Sequence, residues 1–381
     1  QQLVPGLTAE DTHIDDLAFQ YHVFKGAGYD IRNAGLLFVD SKYKRKGNVD
    51  PKGMFKLEDI TDKVKLKQAD IEASIKNLNL VADAKDEPVG ELGSRCNKPI
   101  PCDYKSHCWK NVPLYSVLNV FANLKNGDAT IKTVGSYDIN DIPIDLIPGG
   151  ARAIEVEAHK TGKIQSNPQE LKNFLDKIAY PVYYLDYETV QSPSPLYEGT
   201  KPYRQVPFQF SLHVQDQPGG PLKHTGFLHK SNTDPREEFT KALVAVCGTQ
   251  GTVIVYNKGF ESERNNELAA DLPAYKTQLQ AINARMVDQY LPFRNRWLYS
   301  PDQNGSASIK AVLPSFTGLT YKNLEISNGE QALYEYLSFV RGEKNAADTK
   351  KLWAALETYC GQDTMAMVEL QKVLESYANP Q

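Results

Sequence analysis

The sequence has no apolar run approaching the roughly 20 residues that a membrane-spanning helix needs. Its opening, Gln1-Gln-Leu-Val-Pro-Gly6, lacks the charged-then-apolar pattern of a secretory leader. These two absences lead to the expectation of a cytoplasmic chain with no membrane partner. An excess of positive charge is missing too. With 43 Lys and Arg against 47 Asp and Glu, the net charge of −4 leaves no whole-molecule footprint of a nucleic-acid binder. Local basic patches remain compatible with that balance, because an enzyme that holds metals with acids looks acidic overall. No internal repeat or low-complexity tract occurs, which excludes repeat arrays. Cysteine is scarce: five in 381 residues, which in a cytosolic chain are thiols or metal ligands rather than disulfides. What is present is an ordinary globular composition, 41% hydrophobic and 24% charged, long enough for two domains with a core each.

The most informative stretch is Tyr180-Pro-Val-Tyr-Tyr-Leu-Asp-Tyr-Glu-Thr189. Val182 to Tyr187 has the β-branched and aromatic character of a buried strand, and residues two apart on a strand share a face. Asp186 and Glu188 therefore leave one face together. Side-by-side carboxylates repel unless a cation lies between them or one is protonated, and a hard divalent cation is the usual partner. Two other places supply similar acids. Val253 to Tyr256 reads as a second buried strand running into Asn257-Lys-Gly-Phe-Glu261, where Glu261 opens a helix. Leu352, Leu356, Tyr359, Met367 and Leu370 mark a late helix on which Tyr359 and Asp363 are one turn apart.

Asp-x-Glu on a strand, Asn-x-x-Phe-acid at a strand-to-helix turn and Tyr-x-x-x-Asp on a late helix resemble, in that order, the motifs of the DEDD family of 3′-5′ exonucleases in its tyrosine-containing branch. The resemblance covers residues 178–377. It implies a ribonuclease H-like α/β fold, a mixed sheet with flanking helices. It also implies two divalent cations, magnesium or manganese, held by Asp186, Glu188, Glu261 and Asp363, with Tyr359 orienting the attacking water. The implied reaction is hydrolysis of DNA or RNA to nucleoside 5′-monophosphates. This chain departs from the family at Glu261, where Asp is usual; the added methylene shifts the carboxylate and bears on metal occupancy there. The segments from Gly199 to His213 and from Gly305 to Pro314 resemble signatures of a bacterial family of unknown function in which a DEDD-type domain follows a RecB-like nuclease domain.

The first half is read against that second resemblance. A helix from about Ile14 to Lys25 feeds a strand, Gly35 to Val39, and a hairpin is expected around Asn48 to Gly53. Asp15 to Phe24 resembles the glutamine-containing helix of RecB-like nucleases, with Gln20 as the motif residue. Cys96-x5-Cys102-x5-Cys108 resembles the C-terminal part of their iron–sulfur site, including that of CRISPR-associated members. The acids ending in Glu-x-Lys or Asp-x-Lys that should precede the helix are absent from the thirteen residues before Ile14. The half thus reads as a partial RecB-like α/β domain in the downstream part of a longer protein, or in a degenerate descendant. The three cysteines hold zinc with His107, hold an iron–sulfur cluster, or are free thiols in a loop with Pro99 and Pro101. Expected boundaries are 1–114 for this region, 115–172 for a connecting region and 173–381 for the exonuclease-like domain.

Each site residue has a plainer alternative. Glu261 would serve as a helix-start charge, Tyr359 as a core aromatic, Asn257 as a turn residue rather than a substrate contact, and Lys310 as a surface cation rather than a phosphate contact. Cys247 and Cys360 read as packing residues in helices. Asp288 reads as a capping residue or an acid behind the site. Arg294, Arg296 and Trp297 form either a solvated loop or a stacking platform for a single strand. Lys44, Arg45 and Lys46 make a solvated turn or a phosphate contact. Asp186, Glu188 and Asp363 are the hardest to explain without function, since unpaired acids among apolar neighbours are costly. The leading expectation is a metal-dependent 3′-5′ exonuclease acting on single-stranded or frayed DNA or RNA. The alternatives are a catalytically inactive nucleic-acid-binding module and a nuclease for small phosphodiesters.

Overall fold

The computed structural model of the chain describes residues 11–88, 90–98 and 100–379. The opening hexapeptide and Pro99, both used above, lie outside them. The chain divides into two units: Gln1–Trp109 with Ser192–Arg204, and Lys110–Gln191 with Gln205–Gln381.

In the first unit, helix α1 (Asp11–Gly26) carries Ile14, Ala18 and Tyr21 on one stripe, at the four- and three-residue spacing of a buried helix face. That stripe packs on Ala34, Ile60 and Val64, the last from helix α2 (Thr61–Leu66). Strands β1 (Gly35–Val39) and β2 (Phe55–Asp59) pair antiparallel. The link between them is a short helix, Pro51–Met54, rather than a tight hairpin, because Asp50 caps it by accepting from the Lys52 and Gly53 amides. Helix α3 (Gln68–Ala82) follows, with Ile71 against the same core. Gln20 lies exposed on α1 and donates to Asp16 Oδ2 at 3.1 Å.

The second unit is built on a five-stranded mixed sheet. Residues 115–172, expected as a connecting region, fold into it as short helices that include α4 (Ala151–Thr161), followed by a two-residue strand, Gln165–Ser166, and the start of the helix Pro168–Leu175. They are fixed by a buried ionic knot: Glu155 pairs with Arg296 at 2.6 Å and accepts from the Tyr115 hydroxyl at 2.6 Å and from Arg152 at 2.7 Å. Arg296 is thus buried, and the solvated or base-stacking role set out for it does not hold. Strands β3 (Val182–Val190), β4 (Val206–Gln215), β5 (Leu222–Leu228), β6 (Thr252–Val255) and β7 (Met286–Asp288) lie in the order β5-β4-β3-β6-β7. The first three pair antiparallel; β6 is parallel to β3, and β7 to β6.

The two sheet faces follow from strand alternation. Tyr183, Leu185, Tyr187, Phe210 and Leu212 share a core with Phe239 and Leu243 of helix α5 (Arg236–Val246) and Leu268 of α6 (Lys258–Asp271). Val182, Tyr184 and Ile254 turn the other way. They meet Met367 and Val368 of α9 (Ala346–Ala378), which is preceded by α7 (Ile309–Thr317) and α8 (Gly329–Val340). Asp186 and Glu188 share the parity of Val182 and Tyr184 and so face α9. Among the described residues, no helix is long and apolar enough to cross a membrane.

Candidate metal centre

A strand supplies the first two acids. Asp186, half-buried, and Glu188, 6% exposed, stand on β3 just before a register shift between Glu188 and Thr189 in its pairing with β4. Helix α9 lays Tyr359, Cys360 and Asp363 within one turn of each other. Cys360 Sγ lies 3.5 Å from Asp186 Oδ2 and 3.8 Å from the Asp186 carbonyl oxygen. Among the described residues, Asp186, Glu188 and Cys360 are the one set of three whose ligand atoms all lie within 4.8 Å of one another.

Other elements close the site. Tyr321 donates its hydroxyl to Asp363 Oδ1 at 2.7 Å. Lys310, in the first turn of α7, holds Nζ 5.1 Å from the Tyr359 ring centre and 5.6 Å from that of Tyr321; a cation over ring faces is attracted by their quadrupoles. The start of α8 is also near, since a Cβ on Gly329 would stand 3.7 Å from Glu188 Oε2. Glu261, in the first turn of α6, is 2% exposed, and its buried Oε2 has no hydrogen-bond partner among the described residues.

The electrostatics are those of acids crowded out of water. Burial, then Asp363, pushes Asp186 well above the usual carboxylate range. Burial, then Asp186, does the same to Glu188 and to Glu261. Asp363 is pushed up to about 6 by burial, held from going further by the Tyr321 hydrogen bond and by Lys310. Burial lowers Lys310, while Asp363, Glu188 and Asp186 oppose that shift. Tyr359 is raised by burial and then by Asp363, so it keeps its proton. A divalent cation would reverse the acid shifts by replacing repulsion with attraction. The donor set therefore fits one: carboxylates from β3, α6 and α9, a thiol, and an unsatisfied buried oxygen on Glu261.

The expected residues Asp186, Glu188, Glu261, Tyr359, Asp363 and Lys310 thus influence one another within a single site. Among the described residues, Asn257 makes no side-chain hydrogen bond to them. It takes a left-handed φ of 83° at the turn into α6, and its amide donates to Asp288 Oδ1 at 3.0 Å. Asp288 also accepts from the Tyr290 amide, and its charge is among those that raise Glu261. Cys102 and Cys108 are exposed and Cys96 is partly so, while His107 pairs with Glu87 at 2.8 Å. Among the described residues these groups form no three-ligand set. Sequence reasoning does not place two side chains that stand beside the acids. Cys360 is buried in its helix as expected, and three residues from Asp363 it lies on the same side. Tyr321 carries no periodic or motif signal at all.

A family model described as a domain of unknown function, DUF2779, matches residues 183–308. Among curated proteins, the chain is similar to an uncharacterized protein of Mycoplasma pneumoniae, 26% identical over 234 residues that cover 56% of this chain and 35% of that protein. It is also similar to one of Ureaplasma parvum, 24% identical over 275 residues covering 64% and 38% respectively. The chain thus spans little more than a third of the length of the curated relatives it matches. No solved structure gives a significant match.

Proposed function

We propose that the second unit is a metal-dependent 3′-5′ exonuclease of ribonuclease H-like architecture that hydrolyses single-stranded or frayed DNA or RNA. The observation that carries this reading is the gathering of Asp186, Glu188, Glu261 and Asp363 from three different elements, each with its acidity suppressed by burial. Folding opposes such an arrangement, so a cation-dependent role is the simplest account of it.

When bound, divalent ions supply charge neutralisation at the scissile phosphate and activation of water. The chain's own groups do the positioning. Tyr359, protonated at neutral pH, donates a hydrogen bond that orients the attacking water and does not serve as the base. Lys310 offers its ammonium, which lies over the Tyr359 and Tyr321 rings, to a phosphate oxygen. Tyr321 fixes the rotamer of Asp363. The 3′-to-5′ direction rests on the motif resemblance.

The test is degradation of a 5′-labelled DNA strand and its RNA counterpart with Mn²⁺, with Mg²⁺ and with chelator, beside the Asp186→Asn variant. A ladder shortening from the 3′ end, dependent on metal and lost in the variant, is expected. Strands that are bound but left whole under every condition would replace this reading with that of an inactive nucleic-acid-binding module.

A further inference from the structure

We infer that Cys360 is itself a metal ligand, so that one cation position presents two carboxylates and a thiolate and favours a borderline-soft ion such as Zn²⁺ or Co²⁺ over Mg²⁺. This rests on the reading of the acid cluster as a metal site and goes beyond it in naming the donor and the class of ion.

Three observations carry it. The first is distance. In a tetrahedral site with metal–sulfur and metal–oxygen bonds of about 2.3 and 2.1 Å, the two ligand atoms stand roughly 3.6 Å apart, and Cys360 Sγ is 3.5 Å from Asp186 Oδ2. The second is surroundings. Cys360 is fully buried, yet its sulfur faces the Asp186 carboxylate and belongs with Glu188 to the 4.8 Å set, whereas a packing cysteine faces apolar groups. Cys247, fully buried in the apolar core beneath the sheet, is the contrast within this chain. The third is a spare donor: Glu261 Oε2 is buried and, among the described residues, has no hydrogen-bond partner. Thiolate ligands select late first-row and other thiophilic ions, whereas Mg²⁺ demands oxygen donors. As the sulfur–metal bond forms, the S–H bond breaks and its proton leaves to solvent.

The experiment uses the full chain carrying Cys96→Ser, Cys102→Ser and Cys108→Ser, so that Cys247 and Cys360 are the remaining thiols. After chelator treatment, Co²⁺ is titrated while the near-ultraviolet thiolate-to-cobalt band is recorded, and Zn²⁺ and Mg²⁺ affinities are measured by calorimetry. The same is done after adding Cys360→Ala or, to preserve volume, Cys360→Ser. The expected result is a band saturating with cobalt and absent from Cys360→Ala, with the Zn²⁺-to-Mg²⁺ affinity ratio falling about tenfold or more. Cobalt bound without the band, a band that survives Cys360→Ala, an unchanged ratio in a folded Cys360→Ser variant, or no ion bound would each overturn the assignment. Strand degradation by the unsubstituted chain is scored separately. A thiolate band without degradation would remove the exonuclease reading and keep the ligand, and degradation without a band would do the reverse.

Discussion

Glu261 is an acid that gains little from where it lies. It is buried, Oε2 is unpaired, and burial together with Asp186 drives it toward the protonated form. Glu261→Gln removes that repulsion at nearly constant shape. It is expected to stabilise the metal-free chain by about 1 kcal/mol and to shrink the stabilisation that Mn²⁺ brings, read as melting temperatures in chelator and in Mn²⁺. A lower melting point in chelator would mean that a partner favours its charge. Tyr321→Phe works in the opposite direction. It deletes the hydroxyl that bonds Asp363, so unfolding in urea should become easier by about 1.5–3 kcal/mol, the worth of a hydrogen bond to a charged group. Tyr359→Phe, which takes away the proposed water-orienting donor, should lower kcat about 100-fold. A Tyr359→Phe enzyme of full activity would return Tyr359 to the role of a core aromatic.

The seam between β4 and α9 is held by a polar chain. His224 Nε2 is 2.9 Å from Ser211 Oγ, Ser211 Oγ is 2.8 Å from Thr364 Oγ1, and Thr364 Oγ1 is 2.8 Å from His213 Nδ1. Burial, helped by the charge of His224, pushes His213 down to about 4. A histidine with a depressed folded pKa contributes stability above its unfolded value near 6.5, and that stability fades as pH falls toward 4. The site acids have the opposite sign, so the variant difference is the clean measurement. His213→Gln should lose less stability than the unsubstituted chain between pH 7 and 4, by up to about 3 kcal/mol; parallel pH profiles would refute the assignment. Elements such as β3, β4 and α9 were legible because alternation and a long helical period are local signals. The acids on β3 stood out for the same reason, as charges inside an apolar run. Glu155 and Arg296 left no such sign. Their pairing joins residues 141 apart, and nothing local distinguishes a buried arginine from a solvated one. The short helices between residues 115 and 150 are likewise defined by caps, such as the Ser116 and Asn119 box, and by tertiary burial more than by period.

At the scale of the whole chain, β3 ends at Val190 and β4 begins at Val206, yet Ser192–Arg204 between them belongs to the first unit. That excursion is held by Arg45. Its amide donates to Thr200 O at 3.0 Å, its carbonyl accepts from the Gly199 amide at 2.9 Å, and its guanidinium donates to the Pro195 and Leu196 carbonyls. The Gly47 amide adds a bond to Glu198 Oε2 at 2.8 Å. Arg45 is therefore an anchor within the basic turn, which leaves Lys44 and Lys46 as its exposed charges. Arg45→Ala keeps the two main-chain bonds and loses the guanidinium ones. If the shared Nη1 donor is worth about 1.5 kcal/mol and cleavage follows the population of the opened segment, trypsin should cut after Arg204, since Lys201 precedes a proline, about ten times faster in the variant. The readout is the rate of appearance of that cut by mass spectrometry under native conditions. An unchanged rate would mean that the main-chain pairing alone holds the excursion, and that Arg45, like its lysine neighbours, is available to contact phosphate.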